Sequence, residues 1–271
     1  MPAPAPVPVL SPAPTIAFDR AGSGPRVLLI HGLGGERRTW EPVWEALTAA
    51  CDVIAIDLPG FGGSPSLPPG SDVSPEGLAG AVAAFLAEQG FDRPHVAGNS
   101  LGGWVALELA RLGVARSVTA LCPAGFWTRK QGPLDPGARR ALRRLRPLVA
   151  PALLLPSFRR RVLGGVMVHP ERVGYRAAVR TVGAYVGSRG YVEAQTAMRA
   201  RRLEDGIGID VPVTLAWGER DRLVGPQRVA FTPTRTVVLR GAGHVPMWDA
   251  PEEIARLVLE DAQVAEAPLR R

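Results

Sequence analysis

The chain has 271 residues, of which 46% are hydrophobic, so it is long enough to bury one large core. No stretch supplies the roughly twenty uninterrupted apolar residues that a membrane span requires. Only two cysteines, Cys51 and Cys122, are present, which argues against a disulfide framework and against cysteine catalysis. The proline-rich segment 1–14 predicts a stiff, extended arm rather than a secretory signal, and we therefore expect a cytoplasmic protein.

The net charge of +7 is concentrated in one segment. Residues 126–205 contain 17 Arg plus Lys against 5 Asp plus Glu, a net +12, which leaves −5 for the remainder of the chain. The arginines are not interleaved with aromatic residues in the way that a nucleic-acid-binding platform requires. We predict solvated helix faces in this segment, with no nucleic-acid partner and no stable membrane insertion.

Short apolar runs alternate with longer stretches of helical period along the chain. This alternation predicts an α/β fold in which helices cover both faces of a mostly parallel sheet. The predicted strands, in chain order, are Arg26 to His31, Asp52 to Asp57, His95 to Gly98, Ser117 to Cys122, Val211 to Trp217 and Thr236 to Arg240. Helix caps and apolar periodicity predict core helices over Ser74 to Gln89, Leu101 to Leu112 and Pro251 to Val264.

Nearly ninety residues separate the strand that ends at Cys122 from the strand that starts at Val211, too many for a structureless connection. Helical patterns over 137–155, 171–186 and 191–203 predict a mainly helical cap within this stretch. The predicted organisation is an arm at 1–14, a core made of 15–125 and 206–271, and a cap at 126–205.

The sequence GNSLG at residues 98–102 fits the pattern of a nucleophile elbow, with Ser100 between a predicted strand and a predicted helix. Such an elbow forces the nucleophile into a strained backbone conformation and brings the strand and the helix very close together. Gly98 and Gly102 remove the side chains that would collide there. Ser100 is therefore the candidate nucleophile.

A serine hydroxyl needs an imidazole to take its proton. Of the four histidines, His244 alone follows the last predicted strand in a glycine-rich turn that can carry it over the carboxyl edge of the sheet. His31 belongs to a His-Gly pair at a strand end. We expect structural roles for His95, which opens a strand, and for His169, which lies in the predicted cap.

A carboxylate must orient that imidazole, and it should follow a strand between the serine and the histidine. Asp221 is the preferred acid, and Glu219 is the nearest competitor in the same loop. Asp57 precedes Ser100 and breaks the chain order Ser, Asp, His. Its expected role is to organise the turn 57–62.

Acyl transfer also needs two donors that face the developing oxyanion. The backbone N–H of Leu101 starts a helix, so it has no partner within that helix and points towards the site. The second donor is expected in the loop 31–35, where the N–H of Leu33 is best placed.

Five motifs in this order resemble those of the α/β-hydrolase superfamily, particularly its small capped bacterial esterases and carbon-carbon bond hydrolases. The motifs are LLIHGLGG at 28–35, DLPGFGGS at 57–64, AGNSLGG at 97–103, WGERD at 217–221 and GAGHVPMWDAPE at 241–252. The resemblance implies an eight-stranded sheet, a cap inserted after the sixth strand, and no metal or organic cofactor. It also sets the chain apart from haloalkane dehalogenases and epoxide hydrolases, which carry aspartate where this chain has Ser100.

The predicted function is hydrolysis of a small to medium carboxylic ester, since this requires only the triad, the oxyanion hole and an apolar pocket. The motif around Ser100 and the presence of Trp248 leave open an alternative, cleavage of a carbon-carbon bond in dienoic or diketone acids. An alternative of another class is a non-catalytic protein that kept the fold and binds a ligand or surface through the basic cap.

Overall fold

Seven strands form one sheet in the computed structural model, which describes residues 13–127, 137–203, 208–225 and 234–266. The order across the sheet is β1-β3-β2-β4-β5-β6-β7, and every neighbouring pair is parallel except β1 with β3. The strands are β1 (Phe18–Ala21), β2 (Arg26–Ile30), β3 (Asp52–Ile56), β4 (His95–Asn99), β5 (Ser117–Leu121), β6 (Val213–Gly218) and β7 (Thr234–Leu239).

Helices follow most of the strands, as the alternating sequence pattern predicts. They are α1 (Glu41–Thr48), α2 (Pro75–Glu88), α3 (Leu101–Arg111), α4 (Gly137–Arg144), α5 (Arg146–Ala152), α6 (Pro156–Leu163), α7 (Tyr175–Gly187), α8 (Tyr191–Arg199) and α9 (Pro251–Glu266). The predicted start of α2 is confirmed, because the Ser74 hydroxyl accepts a hydrogen bond from the Gly77 N–H at 3.2 Å. None of the helices in the described ranges combines the length and the apolar character that crossing a bilayer requires.

Two apolar layers enclose the sheet because successive side chains of a strand point to opposite faces. In β2, Leu28 and Ile30 join a cluster with α2 and α3, whereas Val27 and Leu29 join a second cluster with α1 and α9. The predicted inward face of α9, Ile254, Leu257 and Val258, is fully buried. The predicted α/β-hydrolase fold is confirmed.

The described residues form seven strands, one fewer than the family resemblance implies, and the helical segment follows the fifth strand rather than the sixth. The backbone before β1 is already paired, since the Ala17 N–H donates to the Ser64 hydroxyl at 2.9 Å and the Ala17 carbonyl accepts from the Asp57 N–H at 2.8 Å. This segment therefore binds the loop after β3, and β1 lies at the edge of the sheet. The predicted arm lies outside the described residues up to position 12.

The parallel register aligns the carboxyl ends of the strands. Ile30 pairs with Gly98, Asn99 with Leu121, and Gly218 with Leu239. The loops that begin after these residues therefore emerge at one edge of the sheet. This register places the sequence-predicted candidate residues, which lie in those loops, on the same edge.

The segment between β5 and β6 has an apolar cluster of its own. Buried residues of α5, α6 and α7 form it, together with Met167 and Val173 from the connection between α6 and α7. Val245 and Trp248, which follow the candidate histidine His244, pack against this cluster. The predicted helical character of the segment agrees with the described residues 137–203.

A buried polar network joins β4, β5 and α9. The Thr119 hydroxyl donates to the Asp261 carboxylate, so it accepts from His95 Nε2 at 3.1 Å. His95 Nδ1 lies 2.7 Å from the Ser117 hydroxyl, which also lies 3.3 Å from the Asp261 carbonyl oxygen. Burial lowers the pKa of His95 to about 3. The ring is neutral and structural, as expected from the sequence.

We expect the folded protein to lose stability as the pH falls, because the unfolded chain protonates His95 at its ordinary pKa whereas the folded chain does not. Between about pH 7.5 and about pH 5, this difference costs about 2 kcal/mol of unfolding free energy. The His95→Gln variant should lack this part of the loss, as measured by urea unfolding at both pH values. The same pH dependence in the variant and the wild type would contradict the assignment.

Candidate active site

Ser100 occupies a strained turn between β4 and α3, with a φ angle of 55°. A Cβ atom at Gly98 would clash with the Gly102 carbonyl, and one at Gly102 would lie 2.6 Å from the His31 carbonyl oxygen. A hydrogen bond to the neighbouring strand holds the Ser100 backbone, since its N–H donates to the Leu121 carbonyl at 2.9 Å. The close approach of the strand and the helix therefore requires glycine at both positions, as the motif predicts.

His244 and Asp221 are in direct contact across the loops after β7 and β6. His244 Nδ1 lies 2.7 Å from Asp221 Oδ2, and the Asp221 side chain is fully buried. Burial by itself would raise the pKa of Asp221, but the bond from His244 and two backbone N–H donors, Leu223 and Val224, lower it. The carboxylate is ionised and holds the Nδ1–H tautomer of the ring.

Glu219, the competing acid, has a different partner. Its carboxylate accepts a hydrogen bond from the Gly241 N–H at 2.9 Å, at an exposed position. The bond stabilises the turn that precedes the histidine loop, and the Glu219 carboxylate has no contact with the imidazole in the described residues. Asp221 is therefore the acid that can orient His244.

The side chain of Asn99 links the candidate nucleophile, Ser100, to the histidine loop. The Asn99 amide, next to Ser100, donates to the His244 carbonyl at 2.9 Å and to the Leu121 carbonyl at 3.1 Å. In the described ranges neither the Ser100 hydroxyl nor His244 Nε2 forms a hydrogen bond, so the two residues are linked through Asn99 and not directly. Hydrogen bonds between catalytic groups are often long without substrate and shorten when it binds.

Two backbone donors adjoin the serine. A Cβ at Gly32 would lie 3.1 Å from the Ser100 Cβ, which places the loop 31–35 against the nucleophile. Within the part of the chain that the structure describes, the N–H groups of Leu33 and Leu101 donate to no protein acceptor. Both predicted donors are therefore available for an oxyanion.

His31 and Asp57 hold the loops beside these donors. His31 Nδ1 lies 2.7 Å from the Gly32 carbonyl, and its Nε2 accepts from the Leu58 N–H at 3.0 Å. Burial lowers the pKa of His31, which keeps the ring neutral. The buried Asp57 carboxylate accepts from the Arg37 N–H at 2.6 Å and from the Gly63 N–H at 2.7 Å. Asp57 thus organises its turn, as expected.

The alpha/beta hydrolase family model matches residues 27–257 of the chain. The chain belongs to this family. An epoxide hydrolase, EphH, from Mycobacterium tuberculosis is 35% identical over 196 residues, covering 67% of this chain and 91% of that protein. A pimeloyl-[acyl-carrier protein] methyl ester esterase from Aeromonas hydrophila is 28% identical, covering 90% and 98%. The enol-lactonase structure from Burkholderia xenovorans superposes with a TM-score of 0.74 at 22% identity, covering 92% and 96%.

Membership of the alpha/beta hydrolase family confirms the resemblance drawn from the five motifs. The two sequence relatives are both named as hydrolases, which confirms the coarse prediction of a hydrolase-family enzyme. Which bond is cleaved, and in which substrate, depends on the residues of this chain.

Asp249 is a site residue that the sequence analysis missed. Its carboxylate accepts hydrogen bonds from the backbone N–H groups of Val168 at 3.0 Å, His169 at 2.9 Å and Gly243 at 2.9 Å. It therefore ties the connection between α6 and α7 to the residue before His244. The signal in the sequence was an acid five residues after the histidine, but only the fold shows what it binds.

Cys122 is the second missed residue, since the sequence indicated only core packing. Its sulfur accepts from the Gly218 N–H at 3.3 Å and lies 3.7 Å from the Gly243 carbonyl oxygen, beneath the pair formed by Asp221 and His244. Burial and the negative charge of Asp221 raise the pKa of the Cys122 thiol well above its ordinary value. The neutral thiol fills space beside the pair and supports both loops.

The Asp249→Asn variant should lower the free energy of unfolding by about 1–3 kcal/mol, because an amide can accept at only one of the two oxygen positions. It should also slow the labelling of Ser100 by a fluorophosphonate, since the histidine loop loses an anchor. Thermal unfolding and labelling rates test these outcomes. The Glu88→Gln variant changes an exposed carboxylate on α2 and serves as the control. Wild-type stability and labelling in Asp249→Asn would refute the anchoring role.

Proposed function

We propose that this chain is a serine hydrolase that cleaves a small to medium carboxylic ester through an acyl-enzyme on Ser100. The observation that carries the proposal is the bond between His244 Nδ1 and the buried Asp221 carboxylate, next to a serine held in a strained elbow. Because Nδ1 carries the proton, the lone pair of Nε2 is left to accept the serine proton.

The proposed reaction has two halves. His244 Nε2 takes the hydroxyl proton as Ser100 Oγ attacks the ester carbonyl carbon, and the N–H groups of Leu33 and Leu101 bind the oxyanion. The intermediate collapses as the C–O bond to the alcohol breaks, and His244 returns the proton to the departing alkoxide. His244 then takes a proton from water as the water oxygen attacks the acyl-enzyme carbonyl. The bond from that carbon to Ser100 Oγ breaks, the carboxylic acid is released, and His244 returns the proton to Ser100 Oγ.

Ser100 argues against epoxide hydrolysis, although one relative is named an epoxide hydrolase. A carboxylate nucleophile that opens an epoxide forms an ester, which water can hydrolyse. A serine hydroxyl would form an ether, and the same water could not cleave it. The covalent route through Ser100 therefore turns over esters and not epoxides.

Three buried or half-buried arginines of the predicted cap argue against a carbon-carbon substrate and so favour an ester. Enzymes of the carbon-carbon group usually use a cap arginine to bind the substrate carboxylate. Here Arg139 donates to backbone carbonyls at the end of α7, including that of Tyr185 at 2.9 Å, and Arg159 donates to the Leu153 carbonyl at 2.7 Å. Arg180 pairs with Glu36 and Glu41. These guanidinium groups already have partners within the fold.

We propose that residues 126–205 form the cap over this site, with 15–125 and 206–271 as the core. In support, a Cβ at Gly34, beside the proposed oxyanion donor, would lie 2.9 Å from the Tyr185 ring and 3.1 Å from the Tyr191 ring. The Gly190 N–H also donates to the Gly60 carbonyl at 2.9 Å. The cap therefore contacts the core on the loops that border the site.

Two matched variants test the acid. Asp221→Asn should reduce kcat for a p-nitrophenyl ester by on the order of 10³–10⁴, because the ring loses the partner that sets its tautomer. Glu219→Gln should stay within several-fold of the wild type, since its carboxylate binds only the Gly241 N–H. Steady-state kinetics measure both. Equal losses would remove Asp221 from its proposed role.

A substrate panel tests the bond that is cleaved. The wild type should hydrolyse p-nitrophenyl esters at rates orders of magnitude above those for a dienoic ring-cleavage product or styrene oxide. Ser100→Ala should abolish both ester turnover and labelling by a fluorophosphonate. A preference for the dienoic acid would establish the carbon-carbon alternative. If Ser100 is not labelled and no substrate is turned over, the chain is not a serine hydrolase.

A further inference from the structure

An exposed surface on α4, α5 and α6 combines positive charge with leucine side chains. Residues 137–170 contain eight arginines and no aspartate or glutamate. Four leucines of this stretch are 50–70% exposed. We define the basic leucine surface as the exposed side chains of Arg140, Arg143, Arg144, Arg146, Arg160, Arg161, Leu145, Leu148, Leu154 and Leu155.

The exposed leucines, which lie on α5 and in the turns on either side of it, are distinct from the apolar residues that pack inward. Val149, Leu153 and Leu163 are buried in the apolar cluster of this segment. The inward-facing Arg139 and Arg159 donate hydrogen bonds to backbone carbonyls. The inward faces of these helices are thus already packed against the rest of the fold, and the exposed leucines are apolar surface beyond that contact.

The charge of this surface is not neutralised by the fold. Within the described ranges, none of its six arginines takes part in an ion pair. Arg160 has only a longer-range electrostatic interaction with the carboxylate of Glu171. Arginines elsewhere on this segment do form ion pairs, for example Arg180 with Glu36 and Arg201 with Glu76. A ligand of this surface should therefore be anionic.

We propose that the basic leucine surface binds the headgroup region of an anionic lipid bilayer. Its arginines would pair with lipid phosphates, and its leucines would enter the boundary between headgroups and acyl chains. A second copy of the chain that bound through the same surface would oppose like charges. A nucleic acid would supply the negative charge but no apolar region for the leucines. The anionic bilayer matches both features at once.

The binding does not rest on the proposed hydrolytic reaction, but the segment that follows the surface contacts the histidine loop. Helix α6 ends at Leu163, and the carbonyl of Val166 accepts a hydrogen bond from the N–H of Val245 at 3.0 Å. Val245 follows His244 directly. A bilayer bound on this surface therefore lies one short connection from the histidine loop.

Co-sedimentation of the full chain with vesicles tests the proposal. The wild type should bind vesicles of phosphatidylcholine mixed with phosphatidylglycerol, bind pure phosphatidylcholine vesicles at least tenfold more weakly, and be released by high salt. The Arg143→Gln/Arg144→Gln variant should bind about thirtyfold more weakly, given the contribution of each arginine at an anionic surface. The Leu148→Gln/Leu154→Gln variant should bind at least fivefold more weakly.

Matched variants outside the surface serve as controls. Arg93→Gln/Arg240→Gln removes the same charge, and Val238→Gln removes another exposed apolar side chain; both should bind like the wild type. An unchanged thermal unfolding midpoint shows that each variant is folded. Absence of binding, or equal loss in the controls, would overturn the proposal. The proposal would also be overturned if the leucine variant bound vesicles with wild-type affinity and the wild type bound a DNA duplex or polyglutamate. The ligand would then be a soluble polyanion.

Discussion

The close approach of α3 to β4 and β2 is the constraint on which the candidate site depends. Gly98 and Gly102 allow backbone contacts that any side chain would block, and the chain turns at Ser100 with a φ angle of 55°. Three hydrogen bonds hold this strained residue. The Ser100 N–H donates to the Leu121 carbonyl, and the Ser100 carbonyl accepts from the N–H groups of Trp104 and Ala124. A buried parallel sheet provides the rigid support that such a turn needs, and the free N–H of Leu101 results from the same geometry.

Carboxylates that are buried or partly buried hold the other loops at this edge of the sheet. Asp57, Asp221 and Asp249 each accept at least two backbone N–H groups, and each ties a loop that would otherwise have unpaired donors. Asp221 differs from the others because it also binds the His244 ring. One type of interaction thus serves two purposes: it orders irregular backbone, and at a single position it sets the tautomer of a histidine.

The segment between β5 and β6 uses its arginines in two ways. Those that face inward, such as Arg139 and Arg159, satisfy backbone carbonyls at helix ends and so replace acidic partners within the fold. Those of the basic leucine surface lie beside exposed leucines and, unlike Arg180 and Arg201, have no ion pair among the described residues. The excess charge, which the sequence analysis attributed to solvated helix faces, is therefore divided between internal structure and a surface that is also apolar.

The sequence alone determined the fold class and predicted the position of the elbow and the histidine, His244, because glycine spacing and strand-end positions are local properties of the chain. It preferred Asp221 as the acid but left Glu219 as a competitor. It did not reveal β1, α1, Asp249 or the contact of Cys122, and it led to an expectation of eight strands. These features depend on partners distant in sequence: β1 pairs with β3, and Asp249 binds residues some eighty positions earlier. Both acids lie in one loop, so only the tertiary structure could favour Asp221 over Glu219 by contact. In the folded chain Asp221 contacts the His244 ring, whereas Glu219 accepts from the Gly241 N–H.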